Sequence, residues 1–164
     1  MRDSRRQASN PRQVARYHPT IRAFLSEKKS QEVSKAYLDR AAHILQAIAD
    51  EAPRRGLTVL SAEQARSVVD RHQYQTIRGC RLALRSSEGV YAIRIKELSA
   101  SPGSLELIVY GPGASYDGDR YRDTKTISVE DRLPQLFRAL EIYRLRAELR
   151  VHEGEREAAE RRRR

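Results

Sequence analysis

The residues most able to do chemistry in this chain are a run of acids around one lysine. Lys96 and Glu97 close an apparent strand, Glu106 lies on the next, and Asp117, Asp119 and Asp123 follow. Carboxylates and a lysine gathered at strand ends could hold Mg²⁺ and neutralise charge on a phosphodiester during hydrolysis. The strand carrying Lys96 has no acid among its preceding positions, where Arg94 and Tyr91 stand, so the plainer reading is solvated strand ends. Asp117-Gly118-Asp119 opens like a calcium loop but lacks the later ligands and the closing glutamate. His18, His43, His72 and His152 each stand without a second histidine or cysteine at zinc spacing. Phosphate-cradling glycine loops and serine elbows are missing as well. The expectation is a chain that is not an enzyme and carries no cofactor or metal.

Charge says more about partners. The formal net charge is +10, and it resides at the two ends. Residues 1–29 hold eight Lys/Arg against two acids, Arg161 to Arg164 add four, and residues 30–160 balance at twenty each. Each cation seated on a phosphate releases a condensed counterion, so such ends suit a nucleic acid. The expected phosphate contacts are Arg2, Arg5, Arg6, Arg12 and Arg16 in the arm, with Lys28 and Lys29 and the terminal arginines assisting. Arg81, Arg85, Arg94 and Lys96 alternate along two neighbouring strands and would add a basic sheet face. The competing expectation is that Glu97 and Glu106 neutralise that face. DNA is the expected partner, bound by electrostatic positioning without a readable base code.

These residues need elements to hold them. Residues 1–17 lack apolar periodicity and cannot bury enough surface to offset ordering, which predicts a disordered basic arm. Ile21, Phe24 and Leu25 have the spacing of a brief helix that docks as a flap. From Ser34, the expected cap, to Ala52, a stripe of Tyr37, Ala41, Ile44, Leu45 and Ile48 predicts an amphipathic helix ending between Pro53 and Gly56. Leu57 to Leu60 reads as a short strand. Ser61 and Gln64 have capping-box spacing for a second helix carrying Ala65 and Val68.

Three alternating runs follow: Cys80, Leu82 and Leu84; Tyr91, Ile93 and Ile95; and Leu105, Leu107 and Val109. Joined by short turns, they predict an antiparallel meander with one buried face. Tyr121 to Ser128 is the candidate fourth strand. A long helix then starts near Val129, or nearer Glu130 if Pro134 is to fall in its first turn. Its stripe of Leu133, Leu136, Phe137, Leu140 and Tyr143 packs on the body. Beyond it, residues 144–164 form a charged helical extension that Gly154 should weaken, and a protein partner could pair with it.

The fold class expected is therefore α+β: helices on a three- to four-stranded antiparallel meander, with a long charged C-terminal helix. Residues 18–143 make the domain, between the arm and the extension. No stretch is long and apolar enough to cross a bilayer, and residues 1–17 lack a secretory pattern. The single Cys80 permits no internal disulfide, reads as a buried strand residue and fits a reducing cytoplasm.

Three segments together, HPTIRAFL, SKAYLDRAAHILQAIADEAPRRGLTV and YRDTKTISVEDRLPQLFRALE, resemble a family of uncharacterised bacterial proteins. Its members carry a basic helix-turn-helix-like segment upstream, and the resemblance covers most of residues 18–160. It implies a DNA-linked role and brings no catalytic residue. Residues 1–17 are too short for that upstream segment, and Tyr121 stands where the family pattern suggests Trp.

Overall fold

Five antiparallel strands in sequential order form the centre of the chain, with helices on both faces. The computed structural model describes residues 16–27, 32–71, 73–112 and 118–164. The strands are β1 (Thr58–Leu60), β2 (Leu82–Ser86), β3 (Gly89–Glu97), β4 (Leu105–Tyr110) and β5 (Asp119–Arg122). The sheet thus exceeds the expected three or four strands, because the short β1 pairs with β2 through Val59 opposite Leu84.

One face carries Leu82, Leu84, Tyr91, Ile93, Ile95, Leu105, Leu107 and Val109, all buried. Three helices cover it: α1 (Pro19–Ser26), α2 (Leu38–Glu51) and the start of α5 (Val129–Arg163). The docked flap is α1, which buries Ile21 and Phe24. In α2 the buried residues are Ala41, Ala42, Ile44, Leu45, Ile48 and Ala49, the predicted stripe. Its entry is tighter than predicted. Lys35–Tyr37 form a 3₁₀ turn, and Ser34 makes no capping bond, because its hydroxyl donates to Glu97 at 2.6 Å instead. A second 3₁₀ turn, Ala52–Arg55, ends at Gly56 with φ of 74°, a conformation that favours glycine.

The second face is also covered over part of its length, contrary to the one-sided sheet expected. Helices α3 (Ala62–Val68) and α4 (Tyr74–Arg78) place Ala65 and Ile77 against Ala83, Val90, Ala92, Ile108 and Tyr110. The capping box predicted for Ser61 and Gln64 forms in both directions. Cys80 belongs to this second cluster rather than to the Leu82 and Leu84 side, because it precedes β2 and escapes its alternation.

Helix α5 begins at Val129 under a reciprocal capping box of Ser128 and Asp131. Pro134 is therefore not in the first turn; it lies deeper and removes the ladder bond to the Glu130 carbonyl. Val129, Leu136, Phe137 and Leu140 are buried, and Leu133 and Tyr143 pack beside them. Burying each such side chain contributes about 1.5–3 kcal/mol, enough to anchor the first four turns. The helix then continues through Gly154, which does not interrupt it. Residues 144–163 add about 30 Å of helix at 1.5 Å per residue, with side chains that are mostly exposed.

Candidate nucleic-acid interface

Strand register decides which charges meet. On the second face of the sheet, Lys96 of β3 pairs with Glu106 of β4, which pairs with Arg122 of β5. One step along, Arg94 pairs with Ile108 and Ile108 with Arg120. Glu106 is fully buried. A lone carboxylate there would cost several kcal/mol in lost hydration. Three cations offset that cost. Lys96 Nζ and Arg120 Nη1 lie 3.7 and 2.8 Å from Oε1, and Arg122 Nη2 lies 2.7 Å from Oε2.

The cluster carries two more positive than negative charges. Its arginines keep their heads in water: Arg120 and Arg122 are 46% and 53% exposed, whereas the Glu106 side chain is 1% exposed. The short helices α3 and α4 pack on Ala83, Val90 and Ala92 further along the face, and Arg120 and Arg122 of β5 remain at the surface. Arg120 hydrogen-bonds to the buried glutamate, whereas Lys96 and Arg122 are held near it at ion-pairing distance without a hydrogen bond.

The basic residues expected on the sheet do not form one open face. Arg81 turns to Glu27 after α1, with Nη1 2.8 Å from Oε2, and lies 5.6 Å from the Phe24 ring centre, almost covered. Arg94 forks onto Glu32 through Nε and Nη2, at 2.7 and 2.6 Å. Lys96 joins the Glu106 cluster. Arg85 is exposed and forms no ion pair among the described residues. The neutralising role expected of Glu97 falls to Glu27 and Glu32. Glu97 accepts instead from the Ser34 hydroxyl and amide and from the Gly103 amide, bonds that hold its carboxyl below the usual range. Arg16 is exposed. Arg2, Arg5, Arg6, Arg12, Lys28 and Lys29 lie outside the described residues.

The remaining acids are dispersed among separate partners. Asp119 accepts from the Tyr143 hydroxyl, linking β5 to α5. Asp123 accepts from Arg40 Nη1 and Nη2 at 2.6 and 2.7 Å, and from the Leu105 and Val129 amides at 2.8 Å each. Asp117 lies outside the described residues. Among the described residues, no group of three His, Cys, Asp or Glu is placed to share a metal ion. His43 meets the Tyr17 hydroxyl at 3.2 Å. Burial pushes the Cys80 thiol up to about 11, out of the nucleophilic range.

Comparison with protein-family models, curated proteins and solved structures finds no match to this chain. The site has to be read from its own chemistry. Arg120 and Arg122 are the residues that sequence reasoning missed. Their signal was the alternation Arg120-Tyr121-Arg122, which puts both arginines on the face opposite a buried tyrosine. Starting the strand at Tyr121 rather than Asp119 hid it.

Proposed function

We propose that this chain is a non-enzymatic nucleic-acid-associated protein, with duplex DNA as its first candidate partner. It positions phosphates on fixed cations rather than reading bases. The observation that carries the reading is the Glu106 cluster, in which one buried carboxylate holds Lys96, Arg120 and Arg122 with two positive charges in surplus. The arm residues Arg2, Arg5, Arg6, Arg12 and Arg16 would add contacts around it.

The test is fluorescence anisotropy with labelled duplex DNA across a salt series. Three chains are compared: the full chain, one lacking residues 1–17, and Glu106→Gln/Arg120→Gln/Arg122→Gln. Removing the glutamate together with the arginines avoids stranding a buried charge, and a thermal melt checks folding. Two lost phosphate contacts should flatten the plot of log K against log salt by about 2, at roughly 0.9 per contact. Unchanged affinity and slope in both altered chains would sink the proposal.

A second reading is an interaction module acting through α5. Ile142, Leu145 and Leu149 are 41, 46 and 61% exposed at coiled-coil spacing. Sedimentation of the full chain against Leu145→Ser/Leu149→Ser tests its homotypic form, and identical monomer masses would remove it.

A further inference from the structure

A cavity of about 190 Å³ lies between α4 and the second face of the sheet, lined by Gln75, Thr76, Gly79, Arg94 and Tyr110. Its chemistry is one-sided. Arg94 brings five N–H donors and no acceptor, Gln75 an amide and Tyr110 a hydroxyl; the Thr76 hydroxyl already donates to the Gln73 carbonyl at 2.9 Å, and no carboxylate is among the lining residues. Glu32, outside the lining, takes only the Nε and Nη2 donors of Arg94. Tyr110 lines the same cavity on the next strand. Glu32 thus orients the fork and leaves N–H groups of the guanidinium to spare, and Gly79 gives that side room. A Cβ built at Gly79 would meet nothing nearer than Arg94 Nε at 4.0 Å.

We propose that this cavity is a phosphoryl pocket, in which Arg94 and Gln75 bind the phosphate oxygens and Glu32 moderates affinity by sharing the Arg94 fork. A guanidinium fork accepts carboxylate and phosphate with the same planar geometry, so a ligand oxygen and Glu32 draw on one donor set. The rest of the pocket favours an anion by its donors, and the Glu32 charge opposes it. A phosphate reaching the pocket could be free, on a mononucleotide, or on a nucleic-acid backbone. Only the last source rests on the function proposed above.

The experiment is amide NMR of the full chain titrated separately with inorganic phosphate, a 5′-mononucleotide and a short DNA duplex. The Gly79 and Tyr110 amides should shift and saturate with inorganic phosphate or the mononucleotide, and Gln75→Ala should weaken that binding several-fold. Glu32→Gln should tighten it by about tenfold, since a unit charge a few ångströms from the ligand is removed. A structural role for the Arg94–Glu32 pair predicts the reverse, because breaking the pair would loosen the fork. The proposal is overturned if Glu32→Gln weakens binding, or if the shifts fail to saturate and survive Gln75→Ala. The Glu106→Gln/Arg120→Gln/Arg122→Gln chain separates the two ideas. If it loses DNA affinity but keeps phosphate saturation at Gly79, the pocket stands independently of the sheet-face cluster. If wild type binds DNA without phosphate saturation at Gly79, the pocket fails and the sheet-face reading stands.

Discussion

Asp123 is the residue whose loss should cost the fold most for its size. It lies just after β5 and its carboxylate accepts four hydrogen bonds, two from Arg40 of α2 and one each from the amides of Leu105 and Val129. Leu105 starts β4 and Val129 starts α5, and both are fully buried. Asp123→Ala leaves these two amides without an acceptor, at about 1–3 kcal/mol each. Arg40 loses less. It keeps Glu130, bonded through Nε at 3.1 Å and Nη2 at 2.6 Å, so no cation is orphaned. We expect a loss of about 4 kcal/mol, or about 12 °C in Tm at roughly 3 °C per kcal/mol for a chain of this size.

Asp123→Asn sharpens the argument. Its oxygen can still accept from Val129 and Arg40, but the new NH₂ faces the Leu105 amide and Arg40 Nη1, donor against donor. It should lose most of what alanine loses, despite its matching shape. The assay is a thermal melt of wild type and both variants between pH 7 and pH 2. Burial alone would raise the Asp123 pKa; the bonds from Arg40, Leu105 and Val129 outweigh it and hold the carboxyl below its usual value. The stability it contributes is therefore fully present above about pH 4, the usual aspartate value, and is lost as pH falls through the lower folded value. The gap between wild type and Asp123→Asn should close in that acid window. An asparagine variant melting within about 2 °C of wild type at pH 7 would refute the reasoning.

Two further outcomes follow from burial. Cys80, buried with its thiol pushed up to about 11, should react with a disulfide reagent at pH 8 about a hundredfold more slowly in the native chain than in urea, and equal rates would show the second cluster to be open. Leu136→Ala, in the packed part of α5, should cost about 2–4 kcal/mol, whereas Leu149→Ala should change stability by under about 0.5 kcal/mol in urea melts. A large, concentration-dependent loss at Leu149 would instead mean that its stripe is covered by a second copy.

What could be read from the sequence was what repeats with a single period. The stripe of α2 and the alternation of Tyr91, Ile93 and Ile95 both mark one face of one element against one core, and both faces lie where the pattern puts them. The second face of the sheet was harder because its residues are of two kinds. Ala83, Ala92 and Ile108 are buried under α3 and α4, yet they alternate in the same rows as Arg85, Arg94 and Glu106. A strand whose outward positions mix alanine with arginine reads as solvated. Helix α4, of five residues, is too short to show a period, so nothing announced what would cover those alanines. Gly154 misled for another reason: a glycine penalty of about 1 kcal/mol is small against twenty residues of otherwise favourable helix formers.

The charge pattern required a different correction, and it bears on function directly. Counting basic residues on neighbouring strands treats each as wholly free, but how many donors each keeps depends on which carboxylates the fold delivers from elsewhere. Glu27 and Glu32 come from the N-terminal side of the chain, more than fifty positions before the arginines they meet, and no local pattern pairs them with Arg81 and Arg94. Glu106 works in the opposite sense: as one carboxylate between three cations, it concentrates positive charge where the sequence shows only alternation. The same logic separates the cations of α5. Arg144 is matched by Glu141 and Glu148, and Arg161 lies near Glu157, whereas Arg146 and Arg156 form no ion pair among the described residues. A polyanion gains most from cations that are held in place but not already neutralised. Under the function proposed above, that criterion favours the β5 arginines, rather than the more numerous arginines of the helix, as the first contacts of a phosphate backbone.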